Sequence, residues 1–181
     1  MILIDENTIE FNNDEKIVLE NVIKNFILHE EIKEYNIGKA KNYYIRQMIV
    51  EKSKIINEDF ISIIDKIEKY VEKIKFYKDS TIKLNKCWLN KIDTNTNKND
   101  EFHYDSSDLS FILYLNDNFN GGVYEYINDA KEILKVKPKK FMTITTQKNQ
   151  ILHRVLPVSN GVRYSLVCFF DYEMKKEKLF I

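Results

Sequence analysis

The chain is poor in the residues that punctuate folds: among 181 residues there are 4 glycines and 2 prolines. Each instance therefore carries weight as a turn marker. Cysteine is as scarce, with Cys87 and Cys168 alone, both among apolar residues in strand-like runs. That setting reads as two buried thiols in a reducing compartment, with one bridge between them as the alternative. Net charge is absent, since 28 Lys and Arg balance 28 Asp and Glu. The balance removes any overall pull towards nucleic acid or an anionic membrane. The N-terminal "MILIDENTIEF" lacks the basic start and long apolar run of a signal peptide, and no stretch approaches a transmembrane span. These absences lead to the expectation of a soluble, intracellular, cytoplasmic protein with no nucleic-acid or membrane partner. What the chain does have is 44% hydrophobic and 31% charged residues, values that suit one globular domain with a sizeable core.

The hydrophobic period divides the chain. Residues 1–80 read as mainly helical support after a short initial strand. In "DEKIVLENVIKNFILHEEIKEY", Ile17, Val18, Val22, Ile23, Phe26 and Ile27 recur at spacings of three and four. In "NEDFISIIDKIEKYVEKIKFY", Phe60, Ile63, Ile64, Ile67, Val71 and Ile74 do the same, with Asn57 or Asp59 as the cap. Residues 81–172 change to short β-branched and aromatic runs, among them "TIKLNKCWLNKI", "LSFILYLN", "VYEYI", "KFMTITT" and "VRYSLVCFF". About eight strands with no intervening helix predict an α+β chain whose core is an antiparallel double-sheet jelly roll. Residues 173–181 read as a charged tail. The polar "DTNTNKND" at 93–100 is a loop, and its place before His103 makes it a candidate lid.

Only three histidines are present, and one stands in His103-Tyr104-Asp105. In an extended segment, residues i and i+2 share a face, so the imidazole and the carboxylate reach a common point. Alone this pattern is a weak signal, because such pairs are usually surface residues. A third donor is available in strand context at His153, 50 residues downstream. Ten residues further on comes Arg163, which shares a strand face with Ser165. Two His and one Asp that leave coordination positions open form the facial triad of non-haem Fe(II) oxygenases. An adjacent Arg supplies a planar, permanently charged fork for a carboxylate. His29, near the end of a helix among acidic neighbours, reads as helix-end electrostatics. Gly121 and Gly122 read as turn residues with positive φ.

Taken in order, "HYD", "LYLND" followed by "GG", "KVKPKKF", "HRVLPV" and "RYSLVCFFD" resemble the catalytic core of 2-oxoglutarate/Fe(II)-dependent dioxygenases. The likeness spans residues 82–171 and is strongest to the prolyl hydroxylase type, which includes prolyl 4-hydroxylases and the hypoxia-sensing prolyl hydroxylases. It implies His103, Asp105 and His153 as the catalytic iron ligands and Arg163 as the partner of the distal carboxylate of 2-oxoglutarate. It implies Tyr114 and Ser165 as further contacts to that carboxylate, although Tyr114 reads equally as a core tyrosine. Collagen-type relatives carry lysine where Arg163 stands, so the arginine-bearing branch is the nearer one. Some relatives have a cosubstrate- or substrate-contacting tyrosine on the strand before His-x-Asp. Here that strand reads "CWLNKI", and Asn90 and Trp88, the latter more naturally core, are the candidates.

The resemblance implies an enzyme that couples decarboxylation of 2-oxoglutarate to succinate with C–H hydroxylation. Its cofactors would be Fe(II) and the 2-oxoglutarate cosubstrate, with ascorbate as accessory reductant. Its partners would be O2 and an acceptor, first a prolyl residue of a peptide or protein, with a small molecule also open. The alternative is a cupin-like metal-binding or sensor module without catalysis, for which Arg163 has no evident purpose. Oligomeric state is not legible.

Overall fold

Alternation of apolar and polar residues along the strands decides which side of each faces the protein core. The computed structural model describes residues 2–6, 9–24, 33–37, 40–76, 78–96 and 101–174, with the backbone alone for 33–45. In chain order these residues form β1 (Ile2–Glu6), α1 (Asn13–Lys24), β2 (Lys33–Ile37), β3 (Ala40–Glu51), β4 (Lys54–Ile55), a 3-10 turn (Glu58–Phe60) and α2 (Ile61–Ile74). There follow β5 (Ser80–Asp93), β6 (Leu109–Tyr114), β7 (Asn120–Gly121), β8 (Tyr124–Ile127), β9 (Ile133–Val136), β10 (Met142–Gln147), β11 (His153–Val155), β12 (Val158–Asn160) and β13 (Val162–Met174). The major sheet runs β1-β10-β6-β13-β5-β3-β2, with β4 paired to β3. A second sheet, β11-β8-β9, and the two-stranded β12-β7 complete an antiparallel jelly roll.

The major sheet has two faces with different duties. Cys87 and Leu89 of β5 and Leu166, Cys168 and Phe170 of β13 point to one side, where all five are at most 2% exposed. Against them packs α2, whose Ile63, Ile64, Ile67 and Val71 are buried together with Phe60. Burial of each such side chain contributes about 1.5–3 kcal/mol, so this side supplies most of the fold's driving force. Cys87 and Cys168 face each other across the β5–β13 pair as free thiols, with Sγ atoms 3.2 Å apart. Burial pushes the Cys168 thiol well above the usual thiol range. The alternate residues of β5 and β13 face a cavity between the two sheets.

Several expectations for the first 80 residues need correction. Between the helices the chain runs as strand, in β2 and β3, and β3 extends the major sheet beside β5. The "EIKEY" end of the expected first helix lies partly in β2, while Phe26, Ile27 and His29 fall outside the described residues. Within α1 it is Leu19 that is fully buried, at 2%, and Ile17 is 53% exposed. At the other end, Glu173 and Met174 belong to β13 rather than to a tail, and 175–181 lie outside the described residues. Residues 94–96 are a turn, and the rest of the candidate lid, 97–100, is also outside them. Among the described residues no helix is long and apolar enough to cross a membrane.

Glu15 explains the setting of α1. Its backbone N–H donates to Asn12 Oδ1 at 2.9 Å, and its carboxylate accepts from the Asn12 N–H at 2.7 Å, a reciprocal capping box. The same carboxylate accepts from Ser62 and from Lys66 Nζ of α2, the latter at 2.7 Å. Asn57, as expected, caps the 3-10 turn before α2 by accepting from the Asp59 N–H. Burial disfavours the charge on Glu15, but the hydrogen bonds from Lys66, Ser62 and Asn12 outweigh it and hold the carboxyl below its usual value. With the folded value lowered, the stability this group adds is present above about pH 4.5 and is lost as pH falls through the lowered value. Glu15→Ala should therefore cost about 1–3 kcal/mol at pH 7. Thermal melts at pH 7 and pH 4 should show a shallower acid dependence in the variant than in the wild type.

Candidate active site

His103 sits in no long strand, yet its position is fixed by an antiparallel bridge to His153 at the start of β11. The His103 N–H donates to the His153 carbonyl at 2.9 Å, and the His153 N–H returns to the His103 carbonyl at 3.0 Å. Facing residues of an antiparallel pair project to the same side, so both imidazoles enter the cavity. Asp105, two residues on, joins them: its carboxylate lies 4.0 Å from His103 Nε2 and 3.6 Å from His153 Nε2. One donor atom from each residue fits within a span of 4.8 Å. A metal with bonds of about 2.1 Å needs donors about 3 Å apart, so a bound ion would draw the three together. The imidazole protons are committed elsewhere. His103 Nδ1 is 2.9 Å from the Glu101 carbonyl and His153 Nδ1 is 3.0 Å from the Ile151 carbonyl. A carbonyl only accepts, so each Nδ1 carries the hydrogen and each Nε2 offers its lone pair towards Asp105. The donor set, two imidazole nitrogens and one carboxylate with His103 and Asp105 partly open to solvent, fits a divalent transition metal.

Arg163 enters the same cavity from β13 and is 4% exposed. One of its guanidinium nitrogens donates to the Gly122 carbonyl at 3.4 Å, and its Cζ lies 5.9 Å from the centre of the Tyr114 ring. Gly122 leaves the room: its φ is +61°, and a Cβ there would come within 2.9 Å of Phe119 and 3.4 Å of Arg163 Cδ. Strand register places Ser165 opposite Tyr114 on one side and Asn90 on the other, and Asn90 opposite Arg46 of β3. A polar row Tyr114–Ser165–Asn90–Arg46 thus crosses the floor of the cavity, one step from Arg163. Arg46 also lies over the Trp88 ring, with its Cζ 4.5 Å from the centroid. The Tyr114 and Tyr124 hydroxyls, Trp88 Nε1 and Asn90 Oδ1 are buried with no hydrogen-bond partner among the described residues, and all four residues line the cavity. Burial raises the Tyr114 phenol against the opposing pull of Arg163. Burial also lifts Tyr124 well above the usual phenol range, with further pushes from Tyr114, Asp105 and Tyr126. Both phenols therefore stay protonated donors at working pH.

All six residues singled out in the sequence, His103, Asp105, His153, Arg163, Tyr114 and Ser165, thus line one cavity of about 1360 Å³. Asn90 and Trp88 line it too. Sequence reasoning passed over Tyr124, Arg46 and the support behind the histidines. Tyr124 stacks on His153, with centroids 5.2 Å apart and planes 16° from parallel. On the outer side of the same strands, Arg154 is held by Glu125, with contacts of 2.8 and 2.7 Å, and lies 4.3 Å from the centre of the Phe102 ring. Lys135 of β9 completes the row at 3.0 Å from Glu125. Phe102 precedes His103 and Arg154 follows His153, so this row clamps the backs of both histidine-bearing segments. No local pattern reveals it, because Glu125, Arg154 and Lys135 become neighbours only through the β11-β8-β9 pairing. Glu125 is 2% exposed, and its charge survives desolvation because Lys135 and Arg154 hold it below its usual value. Glu125→Ala should lower stability by about 1–3 kcal/mol and weaken Mn(II) binding, read by calorimetry, although the residue touches no candidate ligand.

Residues 87–171 match the family model described as the 2OG-Fe(II) oxygenase superfamily. No curated protein sequence matches the chain. Among solved structures, a prolyl hydroxylase from Trichoplax adhaerens in complex with a hypoxia inducible factor oxygen degradation domain peptide fragment superposes with a TM-score of 0.71 at 13% identity, over 94% of this chain and 83% of that one. An oxidoreductase of the 2OG-Fe(II) oxygenase family from Burkholderia pseudomallei gives 0.70 at 16% identity, over 94% and 84%. A Pseudomonas putida prolyl-4-hydroxylase gives 0.66 at 13% identity, over 94% and 92%. The superpositions carry the jelly roll, and the family model covers every residue of the metal triad and of the Arg163 end. On these grounds the chain is placed in the 2OG-Fe(II) oxygenase superfamily.

Proposed function

We propose that this protein is an Fe(II)- and 2-oxoglutarate-dependent dioxygenase that hydroxylates a prolyl residue of a peptide or protein. The observation that carries the reading is one cavity holding two imidazole Nε2 atoms and a carboxylate at one end and the buried Arg163 at the other. His103, Asp105 and His153 would hold the iron, and Arg163, with Tyr114 and Ser165, would hold the far carboxylate of the cosubstrate. Bound iron with 2-oxoglutarate and O2 supplies an oxidant for an unactivated C–H bond, with succinate and CO2 as by-products. The chain's own share is orientation and exclusion of water. The Nδ1 contacts of the two histidines fix their tautomers, and the sheet holds the guanidinium at a set depth.

The choice of acceptor rests on the cavity. Its volume exceeds the roughly 300–1,000 Å³ usual for small-ligand pockets, and it opens towards Tyr104, Glu51 and Asp59, as a polymer substrate requires. The Trichoplax relative, in complex with its peptide fragment, supports the same choice. The reading also takes the chain as one domain acting in the cytoplasm, with ascorbate as reductant.

Anaerobic titration of the Fe(II)-loaded protein with 2-oxoglutarate should produce the weak visible charge-transfer band of a metal-chelated 2-oxo acid. His153→Ala should abolish metal binding and turnover. Arg163→Ala should keep the metal and weaken 2-oxoglutarate binding about 10- to 100-fold, as expected for loss of a charged hydrogen-bonded contact. Bound iron without the band would point instead to a metal-binding module. Mass spectrometry of proline-containing peptides after turnover should show a gain of one oxygen on proline, and label elsewhere would remove the prolyl assignment.

A further inference from the structure

The roles above leave one buried polar group of the cavity without a task. Tyr124 comes from β8 in the smaller sheet, opposite the wall that carries Tyr114 and Arg163. It is 0% exposed, and its hydroxyl has no hydrogen-bond partner among the described residues. Packing does not account for that hydroxyl, because a phenylalanine ring would stack on His153 equally well. Leaving a buried hydroxyl unpaired costs about 1–3 kcal/mol, so its retention calls for a partner that arrives with a ligand. Its place selects which part of the ligand. The ring lies against His153 at the metal end, whereas Tyr114 lies beside Arg163 at the other.

We propose that Tyr124 is a cosubstrate-binding residue whose hydroxyl donates a hydrogen bond to the 2-oxo-acid carboxylate that faces the metal ligands. This rests on the dioxygenase reading and assigns a group that reading did not use. Two tyrosines on opposite walls then hold the two ends of one dicarboxylate, Tyr114 with Arg163 at the distal end and Tyr124 at the metal end. The tyrosine absent from "CWLNKI" on β5 is thereby replaced from the facing sheet.

The test uses Tyr124→Phe, which keeps the stacked ring and removes only the hydroxyl. Wild type and variant are loaded with Mn(II) as a redox-inert stand-in and titrated anaerobically with 2-oxoglutarate by calorimetry. The expected result is Mn(II) affinity within about twofold of wild type and 2-oxoglutarate affinity lowered about tenfold or more, as for a hydrogen bond to a charged group. Unchanged 2-oxoglutarate affinity would overturn the proposal and leave the dioxygenase reading standing. Equal losses for metal and 2-oxoglutarate would also overturn it, because Tyr124 would then act only through His153. Wild-type protein that binds Mn(II) but not 2-oxoglutarate would refute the dioxygenase reading and this assignment with it.

Discussion

Two backbone hydrogen bonds, exchanged between His103 and His153, are the contact on which the site depends. They join segments 50 residues apart and, because the pair is antiparallel, they send both imidazoles to the same side. Asp105 follows by strand geometry alone. Behind the bridge the fold invests heavily. Pairing of β11 with β8, the Glu125–Arg154–Phe102 row on the outer side and the Tyr124 ring on the inner side each restrain one of the two histidines or its neighbour. A three-residue strand such as β11 would not by itself hold a ligand to within a fraction of an ångström, so the surrounding shell supplies the rigidity.

The energetics of the two faces are opposed. On the helix side, Leu89, Leu166 and Phe170 meet α2 in a dry core with no polar compromise. On the cavity side, four buried polar atoms lack partners among the described residues. At about 1–3 kcal/mol each, they weigh heavily against a typical net stability of 5–15 kcal/mol. The helical layer offsets this cost, and the strain of an unsatisfied interior is concentrated where a ligand can relieve it.

How much of this was legible follows from which relations are local. The shared face of His103 and Asp105, and that of Arg163 and Ser165, could be read from a spacing of two. The positive φ of Gly121 and Gly122 followed from their residue type and position. The buried stripe of α2 was visible as a period, save that Ile74 is only half-buried. Strand pairing was not visible, so neither the stacking of Tyr124 on His153 nor the clamp of Glu125 could be foreseen. The strand character of "NYYIRQMIVE" was hidden by the helical periods on either side, although Gly38 just before it is the kind of residue that marks a hairpin. In α1, "NNDE" contains the Asn12-x-x-Glu15 capping box, but counting apolar residues alone placed Ile17 on the core face. The tie from Glu15 to Ser62 and Lys66 sets the helix's rotation, and that rotation turns Ile17 outward.

The double duty of β5 and β13 gives the sequence a rule of parity. From 163 to 169, odd positions of β13 belong to the cavity and even ones to the core, and on β5 between 87 and 92 the assignment is reversed. Drift at odd positions of β13 can therefore reshape ligand preference while the folding information at even positions stays intact. Loss of a single codon inside either strand has no such freedom. It would exchange the two alphabets at once, turning Leu166 and Cys168 towards the metal and Ser165 into the core. Length variation in descendants of this chain is accordingly confined to the connections, while the strands themselves diverge by substitution alone.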